Sequence, residues 1–122
     1  MISNIDLANL LKDGVGGEFF PLRFPSKSPD ASSQVEITTG TPIVGGVGRM
    51  NVQVITRDVH PANAEQQSQA IRSYLNDKAD FLLTENVQVV YVQAVQPVPL
   101  YLGTDGNKRH LFSMNFNFIL GV

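Results

Sequence analysis

From Phe112 to Leu120 the chain alternates almost without fault, with Phe112, Met114, Phe116, Phe118 and Leu120 on one parity and Ser113, Asn115 and Asn117 on the other. Period-two alternation over that length puts the large apolar side chains on one sheet face and small polar groups on the opposite one. A helix would scatter the same residues around its circumference, so the stretch is a strand with a single buried face. Such a sheet needs a covering layer on its apolar side. Its wet side and its edges are left available to other chains.

The covering layer is sought upstream. Ile2 to Lys12 reads as a short helix: Ile5, Leu7, Ala8, Leu10 and Leu11 form its apolar face, Ser3 or Asn4 caps it and Gly14 stops it. Phe19 to Phe24 is aromatic and β-prone but contains Pro21, which confines it to an edge strand or an extended arm. Pro25 to Ser33 is a loop by composition, and Gln34 to Thr39 alternates as a short strand. Gly40 to Gly48, rich in glycine, reads as a second permissive loop, and Arg49 to Arg57 as a strand with Met50, Val52 and Val54 on one face. His60-Pro61 starts the one long helix, since proline suits the first helical turn. Its periodic set Ile71, Tyr74, Leu75, Ala79 and Leu82 carries the helix to Leu83 or Thr84. Asn86 then opens a strand, Val87 to Val95, that is apolar on both parities and so is expected to be the most central one. The expected fold is α+β: a mostly antiparallel β-sheet with one long helix packed on one face and a short N-terminal helix, residues 1–122 making a single domain.

Composition narrows the function classes. Net charge is −2, so attraction to nucleic acid through phosphate neutralisation is not expected. Charged residues make up 16% of the chain, sparse against a usual figure of about 25%, which leans toward surface covered by a partner. The chain has no cysteine, which removes disulfides, thiolate catalysis and cysteine-based metal sites together. No stretch approaches the roughly 20 apolar residues of a membrane span.

The chemical motifs fail on context. Gly40-Thr41-Pro42-Ile43-Val44-Gly45 has the two-glycine spacing of a phosphate loop, but Gly46 and Val47 stand where lysine and a hydroxyl residue are needed. His60 and His110 each lack a second histidine three or four residues away for a metal face. Asp77 and Asp80 read as exposed helical carboxylates, and the serines cluster in a loop with no histidine base. Lys108-Arg109-His110 is the one basic cluster, and three residues on a net-acidic chain do not support DNA binding alone. No catalytic residue, metal site or cofactor is expected.

The C-terminal third also carries a family likeness. Pro97-Val98-Pro99-Leu100-Tyr101-Leu102-Gly103-Thr104-Asp105-Gly106, then Lys108-Arg109 and Phe112-Ser113-Met114-Asn115-Phe116, resembles the end of small tail terminator proteins of long-tailed bacteriophages, also labelled minor capsid proteins. The resemblance implies a non-enzymatic structural protein of the virion tail–neck region, made in the host bacterial cytoplasm. It implies a hexameric ring that caps the head-proximal end of the tail tube. The partners would be further copies of the chain, the major tail tube protein and the head connector, with DNA only as cargo and no membrane. Contact residues are then expected on the aromatic arm (Phe19, Phe20, Arg23), on the following strand and glycine-rich segment (Glu36, Thr41, Val44, Arg49) and at the last hairpin tip (Asp105, Lys108, Arg109). Three alternatives stand beside it: a neck head-completion or adaptor protein, a small dimeric α+β module for a ligand or peptide with Gly40 to Gly48 as its lid, and a cofactor-free enzyme using His60 with Asp58 or Glu65.

Overall fold

The computed structural model describes residues 3–84 and 87–121, so Ile2 and Asn86, expected to open a helix and a strand, lie outside the described residues. The elements run α1 (Asn4–Gly14), β1 (Phe19–Pro21), β2 (Ser32–Val44), β3 (Val47–Asp58), α2 (Pro61–Leu75), β4 (Ala79–Thr84), β5 (Val87–Ala94), β6 (Leu100–Thr104) and β7 (His110–Gly121). Among the described residues they form one seven-stranded sheet in the order β1-β2-β3-β7-β5-β4, with β6 also on β7. Antiparallel pairing dominates, as expected, but the sheet is mixed: β1 runs parallel to β2, and the remaining pairs are antiparallel.

The alternating strand is the centre of this architecture. Phe112, Met114, Phe116, Phe118 and Leu120 are all buried on β7, which pairs along its whole length with β3. Its other side is shared by two strands placed end to end, β5 against residues 116–121 and β6 against residues 110–113. The centre is therefore β7 and not β5, and the proline-rich connection between them contains a strand of its own. Val35, Val52, Val54, Met114, Phe116, Val89 and Val92 meet Leu7, Leu11, Ile71 and Leu75 in one core. α1 touches β1, β2 and β4, strands near both ends of the order, so the sheet curls around its helices.

Helix α1 starts as its sequence dictates. Ser3 caps it in a reciprocal box, accepting from the Asp6 N–H while the Asp6 carboxylate accepts from the Ser3 N–H at 2.9 Å. Leu7, Ala8 and Leu11 face the core, whereas Ile5 is exposed. α2 is shorter than its three- and four-residue spacing suggested, ending at Leu75. Asp77 takes a left-handed φ of 63°, a conformation Asp tolerates, and its N–H donates to Val92 O at 2.9 Å, turning the chain into the sheet. Beyond it Phe81 and Leu83 pack on the core while Leu82 is 69% exposed, which is strand alternation and not a helix face. Ala79 and Leu82 thus leave the helix, as do Asp77 and Asp80.

The glycine-rich segment is likewise strand. β2 and β3 run to Val44 and from Val47, joined by Gly45-Gly46 with φ of 62° and 83°. Positive φ at both central residues is the two-residue hairpin turn whose twist matches the strands. Gly40 serves close approach: a Cβ there would sit 2.7 Å from Arg49 O on the facing strand.

Candidate functional site

The sheet's two faces differ sharply in chemistry. Opposite the core, Asn51 pairs across β7 Asn117 to Gln93 on β5, and Gln53 pairs with Asn115. Amides fill the middle of this outer face, with Ile55, Ile119 and Tyr91 toward its ends and Glu36 and Arg49 as charged members on β2 and β3. Gln96 closes the gap between β5 and β6: its Oε1 accepts from the Asn115 N–H at 2.7 Å and its Nε2 donates to Ser113 O at 3.3 Å.

The expected contact residues divide into accessible and structural ones. Phe19 is 1% exposed and belongs to the core, because β1 turns it inward beneath α1, so it is withdrawn from any partner surface. Phe20 is half-buried and Arg23 exposed beside Leu22, whose φ is 72°. Glu36 is half-buried, Thr41 and Arg49 are exposed, and Val44 at the β2–β3 turn is 75% exposed. Lys108 is exposed in the β6–β7 turn with φ 62°. Asp105 and Arg109 hold that turn together. The Asp105 carboxylate accepts from the Asn107 N–H at 2.9 Å, the Arg109 N–H at 3.0 Å and Arg109 Nε at 2.8 Å. The Arg109 N–H leads these contacts in holding the Asp105 carboxyl below its ordinary pKa.

Arg109 also reaches Asp30 at 3.5 Å, joining the turn to the loop at residues 25–31. That loop is fastened from within. Arg57, on the strand face opposite Met50, Val52 and Val54, is 5% exposed and lies 3.8 Å from the Phe24 ring centroid. It donates to Ser28 Oγ, to Ser32 Oγ at 3.1 Å and to Pro29 O at 3.2 Å. Burial, and then the nearby Arg109 charge, lower its pKa from the ordinary arginine value.

A cleft of about 390 Å³ lies between the start of α2 and the ends of β2 and β3, lined by Glu18, Ser33, Thr56, Arg57, Asp58 and Gln67 among others. Its hydroxyls satisfy one another, Ser33 Oγ and Thr56 Oγ1 being 2.9 Å apart, and its arginine is committed to the loop. Asp58 accepts from the His60 N–H at 3.0 Å, a helix-start contact and not a side-chain dyad. His110 Nδ1 pairs with Tyr101 OH at 2.8 Å on β6. Among the described residues no group of three or more metal-ligating side chains is assembled. The glycine-rich lid of the binding-module alternative is a paired hairpin.

Sequence reasoning missed one exposed apolar surface. Val98, Leu100, Tyr101 and Leu102, on and before β6, are all at least half exposed. No strand among the described residues covers the outer edge of β6. The available signal was a charge-free run through residues 87–104.

A family sequence profile described as bacteriophage tail terminator protein matches residues 2–122. Among solved structures, a chain from the virion of a native gene transfer agent particle shares the fold, with a TM-score of 0.61 and 15% identity over 93% of this chain and 85% of that one. Comparison with curated protein sequences yields no match.

Proposed function

The chain belongs to the bacteriophage tail terminator family, a family of phage structural proteins, and from that premise we propose that it forms a hexameric ring capping the head-proximal end of the tail tube. In that position it stops tube growth and offers the head connector a docking surface. The observation that carries this reading is a family match running the length of the chain. The fold shared with a chain of a gene transfer agent virion supports a place in a virion particle. The surface chemistry is compatible with it: Arg57 and the Asp105–Arg109 pair hold loops, and the accessible surface includes an amide-rich sheet face and, among the described residues, sheet edges that no strand covers. DNA is then cargo passing through the ring, and the tail tube protein and the connector are the lasting partners.

The test is genetic and visual. A phage lacking this chain is expected to make tail tubes of uncontrolled length that fail to join heads, restored by supplying the chain in trans. Tails of normal length joined to heads in its absence would refute the proposal.

A further inference from the structure

Sheet edges are hazards, and this chain guards some of them and not others. β1 is three residues long, contains Pro21 and is followed by Arg23. β4 is flanked by Lys78 and contains Asp80. The outer edge of β6 has no charged guard, although Pro99 precedes it and its register shifts between Tyr101 and Gly103: residues 87–104 contain no charge, and Leu100, Tyr101 and Leu102 are exposed on the strand. A second charge-free run covers residues 37–48, the turn end of the β2–β3 hairpin, where Val44 and Val47 are exposed with Val90 beside the turn.

The pairing registers fix where these surfaces lie. Val47 faces Gly121 at one end of β7, and β6 pairs Thr104 with His110 at the other. The hairpin tip is on the β2 side of the sheet and β6 on the far side of β7. The two patches are thus diagonal corners of one sheet, on the order of 30 Å apart at about 3.3 Å per strand residue. One chain cannot bring them together. We infer that the β2–β3 hairpin tip of one copy, through Val44 and Val47, packs on the β6 edge of the next copy, through Val98, Leu100 and Leu102. Two unlike patches on opposite corners make a head-to-tail contact, which closes into a ring when its rotation divides the circle. Neither patch carries a charge with which to select DNA or a charged peptide, while each offers the apolar surface the other needs. Each is also small: a handful of side chains falls short of the roughly 800 Å² per partner of a stable pair. The contact is therefore weak alone and gains strength when repeated around a closed ring. This inference rests on the ring assembly proposed above and names the surfaces that build it.

Because the chain has no cysteine, engineered pairs report cleanly. Val44→Cys/Leu100→Cys, oxidised at high protein concentration with and without purified tails, is expected to give a ladder of covalent multimers rising one subunit at a time. Each single variant stops at a dimer. An intrachain bridge is barred, since disulfides need Cα atoms within about 7 Å. Both positions are exposed, so the urea midpoint should match the parent; Val47→Cys/Leu102→Cys replaces the pair if it does not. A double variant that stops at dimers under both conditions overturns the inference. A six-fold ring on tails without a ladder removes the contact and keeps the terminator role. A ladder without any ring on tails does the reverse.

Discussion

Gln96→Ala should loosen the middle of the sheet without touching the core. Gln96 stands where β5 has ended and β6 has not begun, and its side-chain amide does there what a strand backbone does elsewhere. Its Oε1 accepts from the Asn115 N–H at 2.7 Å and from Asn115 Nδ2 at 3.1 Å, and its Nε2 donates to Ser113 O at 3.3 Å. The substitution removes all three bonds. A typical net hydrogen bond is worth about 1 kcal/mol, and a buried donor left without a partner costs about 1–3 kcal/mol. Asn115 is half-buried, so water recovers part of that loss, and the expected cost is about 1.5–2 kcal/mol. Asn115→Ala is the control: it removes only the Nδ2 bond, keeps the backbone N–H on Gln96, and should cost less than about 1 kcal/mol. Urea denaturation gives both values, read at constant m. Amide hydrogen exchange at residue 115 should accelerate in Gln96→Ala and hold steady in Asn115→Ala. Equal losses in the two variants, or unchanged exchange at residue 115 in Gln96→Ala, would refute the bridging role.

Phe116→Ala, at a fully buried position in the centre of β7, should cost about 3–5 kcal/mol. Leu82→Ala, on the outward face of β4, should cost under about 0.5 kcal/mol; a loss as large as that of Phe116 would return Leu82 to a helix face. The Asp105 carboxyl has a depressed folded-state pKa, so its contribution is present at neutral pH and is lost as pH falls below about 4, through the folded value. Asp105→Asn should therefore flatten the acid limb of the stability–pH curve measured by chemical denaturation, and an unchanged limb would deny the turn-holding role.

What could be read from the sequence follows from where one physical signal acted alone. Residues 112–120 alternate against one core, so their strand and its buried face were legible residue by residue. Residues 71–82 carry two periods at once. Ile71, Leu75, Ala79 and Leu82 fit a helix, and Phe81 and Leu83 fit a strand; the left-handed turn at Asp77, which decides between them, has no apolar signature. Residues 40–48 misled through glycine count: Gly45-Gly46 between β-branched residues is a hairpin signal, and Gly40 is there for close strand approach. The burial of Arg57 was not legible because its partners, Phe24, Ser28, Pro29 and Ser32, lie in a segment whose path is set only in three dimensions. Of the expected contact residues, Phe19 is buried in the core, and Asp105 and Arg109 also hold their own turn. The β6 surface was visible only as an absence of charge.

The role proposed for this chain is to close the end of a tail tube as a ring. Electron microscopy of purified tails lacking the chain, with the purified protein added back, measures that directly. A single six-fold ring at the head-proximal end of each tube is the expected result. Density elsewhere on the tube, a ring of another symmetry, or no binding would contradict it.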